Sequence, residues 1–176
     1  TNALDATLTT NGNIAIGTNT ATLRTAGSDN VYIGTQSGAA STTSDNNTAV
    51  GVSTLEDATT GGGNAAFGAN CLKYVTDATR NTGCGDAAGL NITTGSNNTM
   101  LGADAGRAGS PGGNRTTASN IVAIGDENVA TCNIQVDWTV ASDQRDKTDF
   151  TALDLGLDFV NDLKPVTYKW DKRSKY

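Results

Sequence analysis

Asn47-Thr48-Ala49-Val50-Gly51 and, 17 residues on, Asn64-Ala65-Ala66-Phe67-Gly68 carry the pattern that decides the fold of this chain. Each stretch opens on Asn and closes on Gly four residues later. Outward from these two, the pair recurs at Asn13–Gly17, Asn30–Gly34, Asn81–Gly85 and Asn98–Gly102. The anchors Asn13, Asn30, Asn47, Asn64, Asn81 and Asn98 are thus separated by five intervals of 17 residues, without a slip. A seventh copy, Asn120 to Gly125, follows a longer interval and holds one extra residue. Turn residues at Ser110-Pro111-Gly112-Gly113 mark where a loop leaves the pattern. A fixed period of this length belongs to a repeat architecture, in which each unit covers its apolar face by stacking on the next.

Within the unit, the residue before each Gly is Ile16, Ile33, Val50, Phe67, Cys84, Leu101 or Ile124, apolar in every copy. One position earlier come Ala15, Tyr32, Ala49, Ala66, Gly83, Met100 and Ala123, mostly small. Adjacent strand positions point to opposite faces, so this pairing predicts short strands covered on both sides, one side tightly. The Gly is expected to supply a positive φ or a close backbone approach. The Asn is expected to turn the chain and to stack on its counterparts. Thr59-Thr60-Gly61-Gly62-Gly63 and Thr93-Thr94-Gly95-Ser96-Asn97 read as turns between strands. A core of single small residues is thin at roughly 25 cal/mol per Å² of buried apolar area. Association of several chains would deepen it.

Composition narrows the function. Hydrophobic residues are 36% of the 176 and aromatics 5%, with Gly at 21 and Pro at 2. A formal net charge of -6 lacks the basic face that nucleic acid needs. His is absent, which removes the commonest general base and metal ligand. No metal site and no cofactor is expected. Cys71, Cys84 and Cys132 are odd in number without CxxC spacing, and each is read as filling a small apolar slot. No run of apolar residues is long enough to span a membrane. Asp57, Asp77, Asp86 and Asp104 fall at different positions of the repeat, which argues against a glycosidase pair. Thr drifts between repeat positions, which argues against an ice-binding face.

The Asn-x-Ala-Ile/Val-Gly units resemble the repeats of trimeric bacterial adhesin heads and of phage tail fibres. Thr93-Thr94-Gly95-Ser96-Asn97-Asn98-Thr99-Met100-Leu101-Gly102 is similar to the phage form especially. This resemblance covers about residues 11–126. It implies a mainly β fold: a homotrimeric parallel β-roll or β-prism of 17-residue repeats.

Beyond residue 130 the composition shifts. Ile134, Val136, Trp138 and Val140 alternate with Asn133, Gln135, Asp137 and Thr139, a period-2 strand. Ala152 to Leu163 reads as a helix with Leu153, Leu157 and Val160 on one stripe, ended by Pro165. Ser142-Asp143-Gln144-Arg145-Asp146-Lys147, with Lys164-Pro165-Val166-Thr167-Tyr168-Lys169-Trp170 downstream, resembles the start of the S74 self-cleaving chaperone domain of endosialidase-type tail spikes. That resemblance implies Ser142 and Lys147 as a catalytic pair, with the break between Ser142 and Asp143. Asp146 and Phe150 depart from the usual uncharged and aliphatic residues, and 34 residues follow Ser142 where the family has a longer domain. The chain is therefore expected to be cut short after residue 176, and its start at Thr1 implies that the natural N-terminus lies further upstream.

Neutral Lys147 is a condition of that chemistry. At a reference pKa of about 10.4, roughly one lysine in a few thousand is uncharged at pH 7, so burial or Arg145 must lower the value. Attack by Ser142 Oγ on its own carbonyl closes a strained four-membered ring, and action on a neighbouring chain avoids it.

The expected organisation is a β-repeat shaft at 1–126, a connecting strand at 127–142 and a short α/β start of the chaperone at 143–176. The expected function is a receptor-binding segment of a phage tail fibre or spike with one-shot autoproteolysis. The alternative is a bacterial trimeric surface adhesin that keeps its C-terminal cap. Expected partners are two further copies of the chain, a host cell-surface receptor (glycan or protein) and other tail proteins before Thr1. Its place would be the virion tail, assembled in the host cytoplasm. The loop Arg107 to Ser119 is the expected contact site.

Overall fold

A computed structural model of the chain describes residues 10–135 and 162–164. The chain divides into two compact units, Thr1–Asn133 and Ile134–Tyr176. The first is a parallel β-solenoid. Its strands are β1 (Ile14–Ile16), β2 (Val31–Ile33), β3 (Thr48–Val50), β4 (Ala65–Phe67), β5 (Thr82–Cys84), β6 (Thr99–Leu101) and β7 (Val122–Ile124). They form one seven-stranded sheet in chain order. Ile14 pairs with Val31, Val31 with Thr48, and so on in an unbroken 17-residue register to Thr99. The chain pairs with itself, so each coil is complete within one copy, as in a roll and unlike an interlaced prism.

Small residues at the centre of each strand explain the narrow coil. Tyr32, Ala49, Ala66, Met100 and Ala123 are buried and point inward. Where this column is large, another is small. A Cβ on Gly38 would collide with the Tyr32 ring, and one on Gly106 with the Met100 sulfur. Where the column is smallest, at Gly83, Cys71 and Leu72 fill the space. Near-constant volume per coil keeps the register and the packing density together.

At the anchor glycines the coils meet backbone to backbone. Gly17, Gly34, Gly51, Gly68, Gly85 and Gly102 have φ of 134, 131, 141, 131, 136 and 106 degrees. At Gly17 through Gly85 a Cβ would strike the backbone of the glycine one coil on. Both reasons for Gly therefore hold at this corner.

The Asn column does something other than turning the chain. The turn is made one residue earlier, at Gly12, Asp29, Asn46, Gly63, Arg80, Asn97 and Asn120, all with φ between 57 and 76 degrees. The Asn itself lies inside and links coils. Asn64 Oδ1 accepts from Asn81 N–H at 2.9 Å, and Asn47 Oδ1 from Asn64 N–H at 2.8 Å. Each side-chain amide donates across the coil, as Asn64 Nδ2 does to Ala78 O at 3.0 Å and Asn81 Nδ2 to Gly95 O at 2.9 Å.

Asn120 departs from this column. Leu101 pairs with Ile124, a step of 23 residues, and it is Ile121 N–H that donates to Asn98 Oδ1 at 3.0 Å. Ile121 thus ends the Asn ladder. Asn120 stands in the positive-φ column, where its Oδ1 accepts from Asn97 Nδ2 at 2.7 Å. This explains the apparent extra residue in the last copy.

Threonine is also in register, contrary to the drift expected. Thr25, Thr42, Thr59, Thr76, Thr93 and Thr116 form one column. Each of the first five donates its hydroxyl to the carbonyl of the next, at 2.9 to 3.4 Å. Those hydroxyls are spent on the neighbouring backbone, which makes the column a ladder of the fold and not a set of free surface donors.

Candidate functional site

Three features stand out on the solenoid unit. The first is its outer sheet face. The column before the anchor Gly points outward, with Ile16 59%, Phe67 44%, Leu101 46% and Ile124 40% exposed. Ile33 and Val50 are half-buried. The expected cover on both sides is present on the inner side alone within one chain. Cys84 belongs to this column and is exposed, as is Cys132 beyond β7, so neither fills an apolar slot. Cys71 does. Burial pushes its thiol up to about 12, far from a nucleophile at neutral pH.

The second is a buried polar cluster in the first coils. Arg24 is fully buried beside Tyr32, with its guanidinium 5.9 Å from the ring centroid. It donates to Ser41 Oγ at 3.0 Å and to Ser44 O at 2.9 Å. Tyr32 Oη lies 3.1 Å from both serine hydroxyls. The cluster is closed to solvent and serves the interior.

The third is a cavity of about 270 Å³ where the 23-residue step breaks the stack. Asn91, Asp104, Arg107, Gly109, Glu127 and Asn128 are among its lining residues. Ser110 holds the base, accepting from Gly106 N–H at 2.8 Å and donating to Gly125 O at 3.0 Å. Arg107 pairs with Asp104. Asp126 accepts from Asn128 Nδ2 at 2.8 Å and from Asn128 N–H at 3.0 Å, and these bonds, the side-chain one first, hold its carboxyl below the usual range. The break at Arg107 to Ser119 was legible in the sequence. The contribution of Asn91 and of Asp126 to Asn128 was not, since no motif marks residues brought together only by stacking.

Asp57, Asp77, Asp86 and Asp104 lie in different columns. Burial first, then Glu56, raises the Asp57 carboxyl. Among the described residues no group of His, Cys, Asp and Glu could hold a metal ion. No described helix is long and apolar enough to cross a membrane. Ser142, Asp143 and Lys147 lie outside the described residues, as do the helix expected at Ala152 to Leu163, apart from Asp162 and Leu163, and most of the strand expected from Ile134.

No curated protein and no solved structure matches the chain. Residues 142–175, the stretch that opens on Ser142 and contains Asp143 and Lys147, match the family model described as chaperone of endosialidase.

Proposed function

We propose that the chain is a receptor-binding segment of a phage tail fibre or spike, trimerised by a C-terminal chaperone that cuts itself away between Ser142 and Asp143. The match of residues 142–175 carries this reading, because the resemblance implies a domain that trimerises and folds its passenger before it is cut away. The solenoid is a passenger of suitable kind. Its outer column of Ile16, Phe67, Leu101 and Ile124 leaves an apolar ridge that two further copies would cover, supplying the core one thin coil lacks.

In the cleavage step, neutral Lys147 takes the proton from Ser142 Oγ, which attacks the Ser142 carbonyl of a neighbouring chain. The Ser142–Asp143 peptide bond breaks, and the proton passes to the departing Asp143 amine. Water then hydrolyses the ester to leave a free carboxylate. Trimerisation precedes the cut in this scheme, so cleavage reports assembly.

The test is the denatured mass of the full-length product, as wild type and as Ser142→Ala. Wild type ending at Ser142 beside an intact variant is the expected result. If both stay intact, residues 143–176 are a permanent cap, as in an adhesin, and the autoproteolysis is wrong.

A further inference from the structure

The cavity at the break in the solenoid is lined by no residue of the outer apolar column. It lies where a regular stack has been interrupted. The 23-residue step from Leu101 to Ile124 exceeds the 17-residue period by six residues. Those residues carry the chain out and back, and the space they open is lined by polar side chains together with Ala108 and Gly109. The groups come from three successive coils: Asn91, then Asp104 to Ser110, then Asp126 to Asn128.

Size and chemistry restrict the occupant. At about 270 Å³ the cavity falls just below the roughly 300–1,000 Å³ of sites for drug-sized ligands, so it holds a small group. A protein partner would need about 800 Å² of surface with an apolar centre, which these residues do not offer. A divalent cation has no suitable donor set among the described residues. What remains is a compact ligand with many hydroxyls, for which carboxylates, amides and a guanidinium supply paired acceptors and donors.

Charge restricts it further. Arg107 is engaged by Asp104, which leaves Asp126 and Glu127 as net negative charge on the lining. An anionic ligand is repelled there. Glu127 also sits against Gly109, where an added Cβ would strike its carboxylate, so the glycine keeps this side open.

We infer that this cavity binds a neutral sugar residue of a cell-surface glycan, with Asn91, Arg107, Glu127 and Asn128 as its hydrogen-bonding groups. The inference rests on the receptor-binding reading and names its ligand class. It is tested by probing the full-length protein against an array of neutral oligosaccharides and their sialylated counterparts, as wild type, Glu127→Ala and Asn128→Ala. Both residues are exposed, so neither variant disturbs the core, and circular dichroism checks this. Retention of neutral glycans, with at least a tenfold loss in each variant, is the expected result. Three outcomes overturn the inference: no neutral glycan retained, sialylated forms preferred, or both variants binding like wild type. The last leaves receptor binding intact and moves the site elsewhere. None of the three alters the Ser142→Ala mass comparison.

Discussion

Asn64 does at residue scale what the solenoid does as a whole. Its Oδ1 caps the N–H of Asn81, its own N–H is capped by Asn47, and its amide crosses the coil to Ala78 O. Removing the side chain leaves buried backbone groups on two coils without partners. Asn64→Ala is therefore expected to cost about 2–6 kcal/mol, from roughly 1–3 kcal/mol for each of the two buried groups left unsatisfied. Urea unfolding measures it, and a loss under 1 kcal/mol would show that water replaces the ladder. The spacing of these residues was plain in the sequence, because identical residues recur at identical intervals. Their geometry was not. Asn46 and Asn47 are neighbours with the same side chain, yet Asn46 takes φ of 58 degrees and makes the turn while Asn47 is buried in the ladder. Residue type alone could not divide those tasks, and the same ambiguity hid the one-place shift of Asn120.

At the scale of elements, the coils are alike in backbone and unlike inside. Around β2 the interior is Arg24, Tyr32, Ser41 and Ser44, joined by hydrogen bonds. From β3 to β6 it is Leu55, Leu72, Val75, Ile92 and Met100. In a linear stack, stability is a sum over coils and their interfaces. Burying a guanidinium among hydroxyls costs desolvation that an aliphatic contact avoids. We expect amides of β2 to exchange faster than those of β6 by at least about tenfold, or roughly 1.4 kcal/mol, each strand lying one rung from an end. Hydrogen exchange read strand by strand tests this, and equal protection would mean that the polar network offsets its desolvation. This contrast was partly legible, since Tyr32 and Met100 stand in the small-residue column of the sequence. The burial of Arg24 was not, because a charged residue in a turn reads as solvated until the coil closes over it. The Thr ladder was hidden for a related reason: many other threonines lie between its members, and only the closed coil separates those in the column from those beside it.

At the scale of the whole molecule, the outer apolar column is the feature that one chain leaves unfinished. Seven apolar residues in a row along a sheet face form a continuous ridge of the kind that marks an association surface. The sequence predicted strands covered on both sides, and one chain covers the inner column alone. In the proposed trimer, two further copies would cover the outer one, which a single chain leaves exposed. The proposed function joins trimerisation, chaperone and cleavage in one scheme, and the ridge is the part of that scheme that the solenoid itself supplies. The most direct measurement is the native mass of the full-length protein by sedimentation equilibrium, alone and with Phe67→Asp and Leu101→Asp combined on the ridge. The account predicts three chains per particle for the wild type and a smaller species for the variant. A wild-type protein that is folded, soluble and monomeric, with the ridge open to water, would contradict it.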